Sequence, residues 1–172
     1  MKVLIANNMQ PFVWGGAEEL AVHLQRNLVH CGHEAEIVRI PFQWEPAARI
    51  PSQMLMARTL ETSNVDRVIA LKFPAYLIRH PNKTLWLLHQ YRQAYDLYDA
   101  GQSNLPQGAL GDDLLALIRN ADNESFAESR KIFTNSDVTR SRLARYNGFD
   151  AQTGNSFCKR SNSLQDTVML NR

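Results

Sequence analysis

Val3-Leu4-Ile5-Ala6, a short polar stretch, and then Gly15-Gly16 ahead of Ala17, Leu20, Ala21, Leu24 and Leu28 decide the fold of this chain. The first four residues are apolar without alternation, the mark of a strand buried on both faces of a parallel sheet. The later set recurs at the spacing of one helix face. The two glycines between them let backbone approach a ligand closely. The helix start beyond them offers unpaired N–H groups and a positive dipole end. Open α/β sheets place their sites in loops at the carboxyl ends of the strands. A Gly-Gly pair also serves turn geometry alone, so both uses stay open.

Outward from this unit the same alternation continues. Gly32 reads as a left-handed cap ending the first helix, followed by a second strand over 35–40 that Pro41 ends. A proline-rich loop over 42–51 leads to a helix over 52–62 and a third strand over 67–71. A helical turn over 74–80 precedes a fourth strand, 84–88, which delivers His89 to its end. Residues 91–111 read as loop, 112–130 as helix and 131–134 as a fifth strand. Ser136 can cap a last helix that stops near Gly148. Strands alternating with helices demand right-handed crossovers, so the chain is predicted to be α/β with a doubly wound parallel sheet. From Gln152 the residues turn polar and lose any period. The predicted organisation is one domain over 1–151 and a solvated, disordered tail over 152–172.

Composition narrows the function classes. With 172 residues, 44% apolar and 21% charged, the chain suits one soluble globular domain. A net charge of +2 is too small to point to nucleic acid. No apolar run approaches the ~18 residues of a membrane span, so membrane contact is expected to be peripheral at most. Asn7, Asn8 and Gln10 cut the apolar start short of a signal-peptide core. Cys31 and Cys158 form no C-x-x-C pair, which favours a reducing, cytoplasmic setting. His23 and His30 are seven apart on a helix and His33 lies beyond its cap, so no metal set is expected. A dinucleotide site would want G-x-G-x-x-G and an acid ending the second strand, where Ile40-Pro41 stands instead.

Several stretches together carry a family resemblance. They are residues 2–8 with Gly15-Gly16-Ala17-Glu18, Cys31-Gly32-His33-Glu34-Ala35-Glu36, Trp86-Leu87-Leu88-His89-Gln90, and Ile132-Phe133-Thr134-Asn135-Ser136 with Arg142-Leu143. In order and spacing they resemble the N-terminal, Rossmann-like domain of retaining GT-B glycosyltransferases, family 4 (glycosyl transferase group 1), over about 1–151. The resemblance implies transfer of a hexosyl group from a nucleotide sugar, the co-substrate, to a sugar or lipid-linked acceptor, with no other cofactor. It also implies a second domain marked by two glutamates separated by seven residues. The glutamates here stand at 18, 19, 34, 36, 45, 61, 124 and 128, and none are so spaced. The expectation is therefore an acceptor-side half, truncated, inactive alone and prone to self-association through its open face. The alternative is a non-catalytic α/β domain that binds carbohydrate or a partner chain.

By the same resemblance His89 enters the cleft and contacts or places the donor sugar, although a strand-end histidine can equally be a packing residue. Gly15 and Gly16 are candidates for the donor phosphate side, with Glu18 and Glu19 competing for the same positive helix end. Arg92 could pair with a phosphate or an anionic acceptor, or lie on the surface. Tyr91, Tyr95 and Tyr98 suit sugar faces, or pack their loop down. Arg140, Arg142 and Arg145 read as a solvated basic helix face.

Overall fold

A computed structural model describes residues 1–153. Six parallel strands form one sheet: β1 (Lys2–Met9), β2 (Glu34–Pro41), β3 (Arg67–Lys72), β4 (Lys83–His89), β5 (Lys131–Thr134) and β6 (Gln152–Thr153). Their spatial order is β2-β1-β3-β4-β5-β6. The chain reverses its direction of travel between β1 and β3, the switch point where sheets of this kind open a crevice. The expected doubly wound α/β fold is what the chain adopts.

The two faces follow from strand alternation. Val3, Ile5, Ile69, Leu71, Trp86 and Phe133 form one core cluster with Ala21, Leu24 and Leu28 of α1 (Gly16–His30). Ala6, Val68, Ala70, Leu85 and Leu87 face the other way. They pack beneath α2 (Ile50–Thr59), α4 (Ala109–Ala127) and α5 (Asp137–Asn147), with the single-turn α3 (Asp96–Asp99) at the upper rim. Right-handed crossovers require this split, because the first crossover runs one way along the sheet and the later ones run the other.

Local chemistry explains the boundaries. Ser136 caps α5 by accepting from the Thr139 N–H at 3.2 Å, and Gly148 ends it at φ 72°. Pro41 sits inside β2, not beyond it, pairing in register with Met9. An edge strand tolerates a residue with no N–H to donate. Helix α2 starts two residues earlier than the pattern suggests because Pro51 fits a first turn. The stretch 91–111 contains a 3₁₀ turn (Arg92–Ala94) and α3 as well as loop. Gln152–Thr153 pair with Phe133 and Thr134, so the sheet runs two residues past the 1–151 boundary. The rest of the predicted tail, from 154, lies outside the described residues.

The connection from β3 to β4 is buried rather than draped over the surface. Phe73 and Ala75–Ile78 are all nearly inaccessible, which would strand their carbonyls. Side chains supply the missing donors. Lys83 Nζ donates to the Tyr76 carbonyl at 3.2 Å and to Ser125 Oγ at 2.9 Å, and Ser125 donates to the same carbonyl at 2.6 Å. Arg58 reaches the Leu77 carbonyl at 3.3 Å and grips both oxygens of Glu128 at 2.6 Å. Burial lowers the Lys83 ammonium to about 8, with Glu128 at 3.7 Å opposing the shift.

Candidate functional site

His89 ends β4 at the carboxyl edge of the sheet, where the register steps across a bulge so that its Cα partner is Lys72. His89 follows Leu87 by two positions and so continues on the face of the sheet that Leu87 shares with the α4 and α5 side. The ring is half-buried. Nδ1 lies 2.7 Å from the Gln90 carbonyl oxygen, so Nδ1 carries the proton and donates it there. That leaves Nε2 as the acceptor nitrogen. Burial lowers the ring's proton affinity below the ordinary histidine value; the hydrogen bond to the Gln90 carbonyl opposes this, and the charges of Lys72, Arg92 and Arg142 lower it further. At neutral pH the ring is a neutral acceptor at a strand end.

From the Gln90 side chain a polar chain runs into the core. Gln90, fully buried, donates to Asn147 Oδ1 at 3.0 Å. Asn147 donates to the Tyr95 hydroxyl at 3.1 Å, and that hydroxyl donates to Asp122 Oδ2 at 2.9 Å. Asp122 is wholly inaccessible on α4, and burial raises its carboxyl to about 7 against the pull of the Tyr95 and Tyr76 hydroxyls. A carboxylic acid that is largely protonated below neutrality can remain in such a setting without a counter-ion.

Arg92 is exposed and pairs with Asp96, Nη2 to Oδ2 at 2.7 Å. Arg142 reaches the same oxygen at 3.3 Å with its side chain only 17% exposed. Burial pushes Asp96 up, but the Arg92 hydrogen bond and the two guanidinium charges outweigh it and hold the carboxyl below its ordinary value. The solvated-face reading therefore fails for Arg142, while Arg140 and Arg145 do lie exposed, paired with Asp150 and Asp99.

The aromatic loop is packed down. Tyr91 stacks on Phe73 with ring centroids 5.1 Å apart and meets Phe42 edge-on. Burial pushes its hydroxyl up to about 12. Tyr95 is completely buried, and Tyr98 is tied to Asp112 at 3.2 Å. Of the two uses open to these tyrosines, packing is what Tyr91 and Tyr95 do.

The glycine loop lies across the switch point. Neither Gly15 nor Gly16 has a positive φ, so no left-handed turn requires them. A Cβ on Gly16 would meet nothing within 4 Å. The Gly15 N–H already donates to Glu18 Oε2 at 2.9 Å, so that carboxylate takes the first donor of the positive helix end. Before the glycines, Phe12 stands fully exposed at φ 62°, and Arg39 lies 4.5 Å over the Trp14 ring. A cavity of about 240 Å³ opens here between Asn8, Met9, Phe12, Trp14 and Arg39. A larger, shallow depression of about 580 Å³ lies at the opposite end of the strands, near Met1, Glu34 and Asp66. Strand–helix loops do not gather at that end, so it is the less suitable place for a site.

Reading the residues in order brought out His89, Arg92 and the glycines, but not Lys72, Gln90 or Asp122. For Lys72 a signal was present, a charge ending the apolar run Val68-Ile69-Ala70-Leu71. For Asp122 there was none, since an aspartate within a helix reads as solvent-facing. Among the described residues no three histidine, cysteine or acidic side chains gather as a metal set, and no helix is long and apolar enough to cross a membrane. No protein-family model matches the chain, and no curated protein is significantly similar to it.

Proposed function

We propose that this chain is the acceptor-side domain of a retaining sugar transferase using a nucleotide-sugar donor. The observation that carries the reading is His89. It is neutral and oriented through Nδ1, with Nε2 the remaining ring nitrogen at the carboxyl end of a central strand. Such a nitrogen accepts a hydrogen bond from a sugar hydroxyl and so fixes the ring against its reaction partner. In the reaction the bond from the anomeric carbon to the diphosphate breaks and a bond to the acceptor oxygen forms on the same face. The acceptor's proton passes to the leaving diphosphate. His89 acts by positioning, and the open space over Gly16 admits a ligand close to the backbone.

Histidine-selective NMR on the chain tests this, with a panel of monosaccharides and nucleotide sugars added in turn. At least one sugar is expected to shift the His89 ring and the Gly15–Gly16 amides saturably. A panel that leaves His89 unmoved, or shifts only residues at the opposite end of the strands, overturns the proposal.

A further inference from the structure

The carboxyl edge around His89 carries more positive charge than its own acids neutralise. Lys72 is the register partner of His89 across the β3–β4 bulge. It makes no ion pair among the described residues. Arg92 follows His89 by three positions. Arg142 is brought to the same strand end by α5, whose Thr139 hydroxyl donates to the Leu88 carbonyl at 3.1 Å. One carboxylate, Asp96, serves both arginines: Arg92 reaches both of its oxygens, and Arg142 reaches Oδ2. Two guanidiniums thus share one acid while Lys72 has none among the described residues, and each guanidinium keeps N–H donors not used on Asp96. Arg140 and Arg145, on the same helix as Arg142, are each paired with an acid of their own, Asp150 and Asp99.

We propose that this edge is a phosphate subsite, so that the acceptor bound beside His89 carries a phosphoryl group. The inference rests on the sugar-transfer reading only for the word acceptor; the anion site stands on its own geometry. Lys72 supplies a point charge, as lysine does for phosphate, and the two arginines supply planar N–H forks already held in place by Asp96. The half-buried surroundings of Lys72, His89 and Arg142 make each charge more effective than it would be in open water. Neutral His89 adds one acceptor, suited to a hydroxyl next to the phosphate rather than to the phosphate itself. Sugar phosphates present that pair of groups.

The test is a titration of the 172-residue chain at fixed ionic strength with inorganic phosphate, glucose 6-phosphate and glucose, followed by amide and histidine NMR. Inorganic phosphate and glucose 6-phosphate are expected to bind saturably at Lys72, His89 and Arg142, and the sugar phosphate more tightly. Lys72→Met and Arg142→Gln should each weaken binding about tenfold, the size of one lost charge-assisted hydrogen bond. Arg140→Gln, on the same helix but paired outward, should leave it unchanged. Circular dichroism on each variant checks that the fold is kept. No saturable phosphate binding, or equal binding by Lys72→Met and Arg142→Gln, overturns the proposal. If neutral sugars shift His89 while phosphate does not, the phosphate subsite fails and the sugar reading survives. If phosphate binds and no sugar in the panel does, the reverse holds.

Discussion

The two ends of β3 and β4 use the same kinds of side chain to opposite effect. At the amino end of β4, Lys83 is inaccessible, yet its ammonium meets a carbonyl, a hydroxyl and the Glu128 carboxylate. Arg58 beside it is matched by two glutamates. At the carboxyl ends, Lys72 ends β3 without an acidic partner among the described residues, while Arg92 and Arg142 divide one aspartate. The lower cluster repairs carbonyls that a buried connection would otherwise strand, so it belongs to the fold. At the upper end the Arg142–Asp96 pair ties α5 to α3, while Lys72 stands without an acidic partner among the described residues at the edge where α/β sheets hold ligands. The difference between the two clusters is how many of their charges have acidic partners on the described chain.

Lys83→Ala should break that contrast most visibly. Removing a buried stem and the donor to Ser125 and the Tyr76 carbonyl is expected to cost about 2–4 kcal/mol, read as a lowered urea midpoint with unchanged slope. A cost under about 1 kcal/mol would mean that the lower cluster is not structural. His89→Ala is the matching change above. It should shift stability by less than about 1 kcal/mol. In a form of the protein paired with a donor-side domain it should lower turnover by about 100-fold, the scale of a misplaced reactant. Large loss of stability with specific activity intact would move His89 to the packing side of the comparison.

Asp122→Asn sharpens the comparison through pH. The folded carboxyl titrates near 7 and the unfolded one near its ordinary value of 3.8. Between these values the folded chain holds a proton that the unfolded chain has released. The stability from this group is therefore full below about pH 4 and is lost as pH rises to 7. The amide cannot ionise, so the variant should lose that dependence and gain about 1 kcal/mol or more at pH 8. Urea melts at pH 5 and pH 8 would read it, and identical pH dependence in both proteins would contradict the assignment. The smallest effect is expected from Gly16→Ala. With open space at the Cβ and no positive φ, it should stabilise by about 0.4–1 kcal/mol while weakening any ligand that approaches the loop. A destabilised variant would show that the glycine serves the fold.

Much of the architecture was legible because it depends on near neighbours in sequence. Strand β5 lies at 131–134 as its apolar run implies, and Ser136 and Gly148 bound α5 as their chemistry requires. The site was legible only in part. His89 and Arg92 stand beside a strand end that the pattern locates, and Gly15-Gly16 open a helix that the pattern locates. The roles of Tyr91 and Tyr95 were not, because an aromatic ring in a loop has two uses and only its neighbours choose between them. Phe73, Phe42 and Asp122 made that choice here.

By itself the sequence determined the class of fold and its order of elements, since periodicity, caps and turn residues act over a few positions along one chain. Only the tertiary structure decided which charges meet. Lys72 and His89 are seventeen positions apart, Asp96 and Arg142 forty-six, and their pairing depends on the register across the β3–β4 bulge and on where α5 docks. Electrostatic balance is a property of distances in space, and no local pattern records those distances.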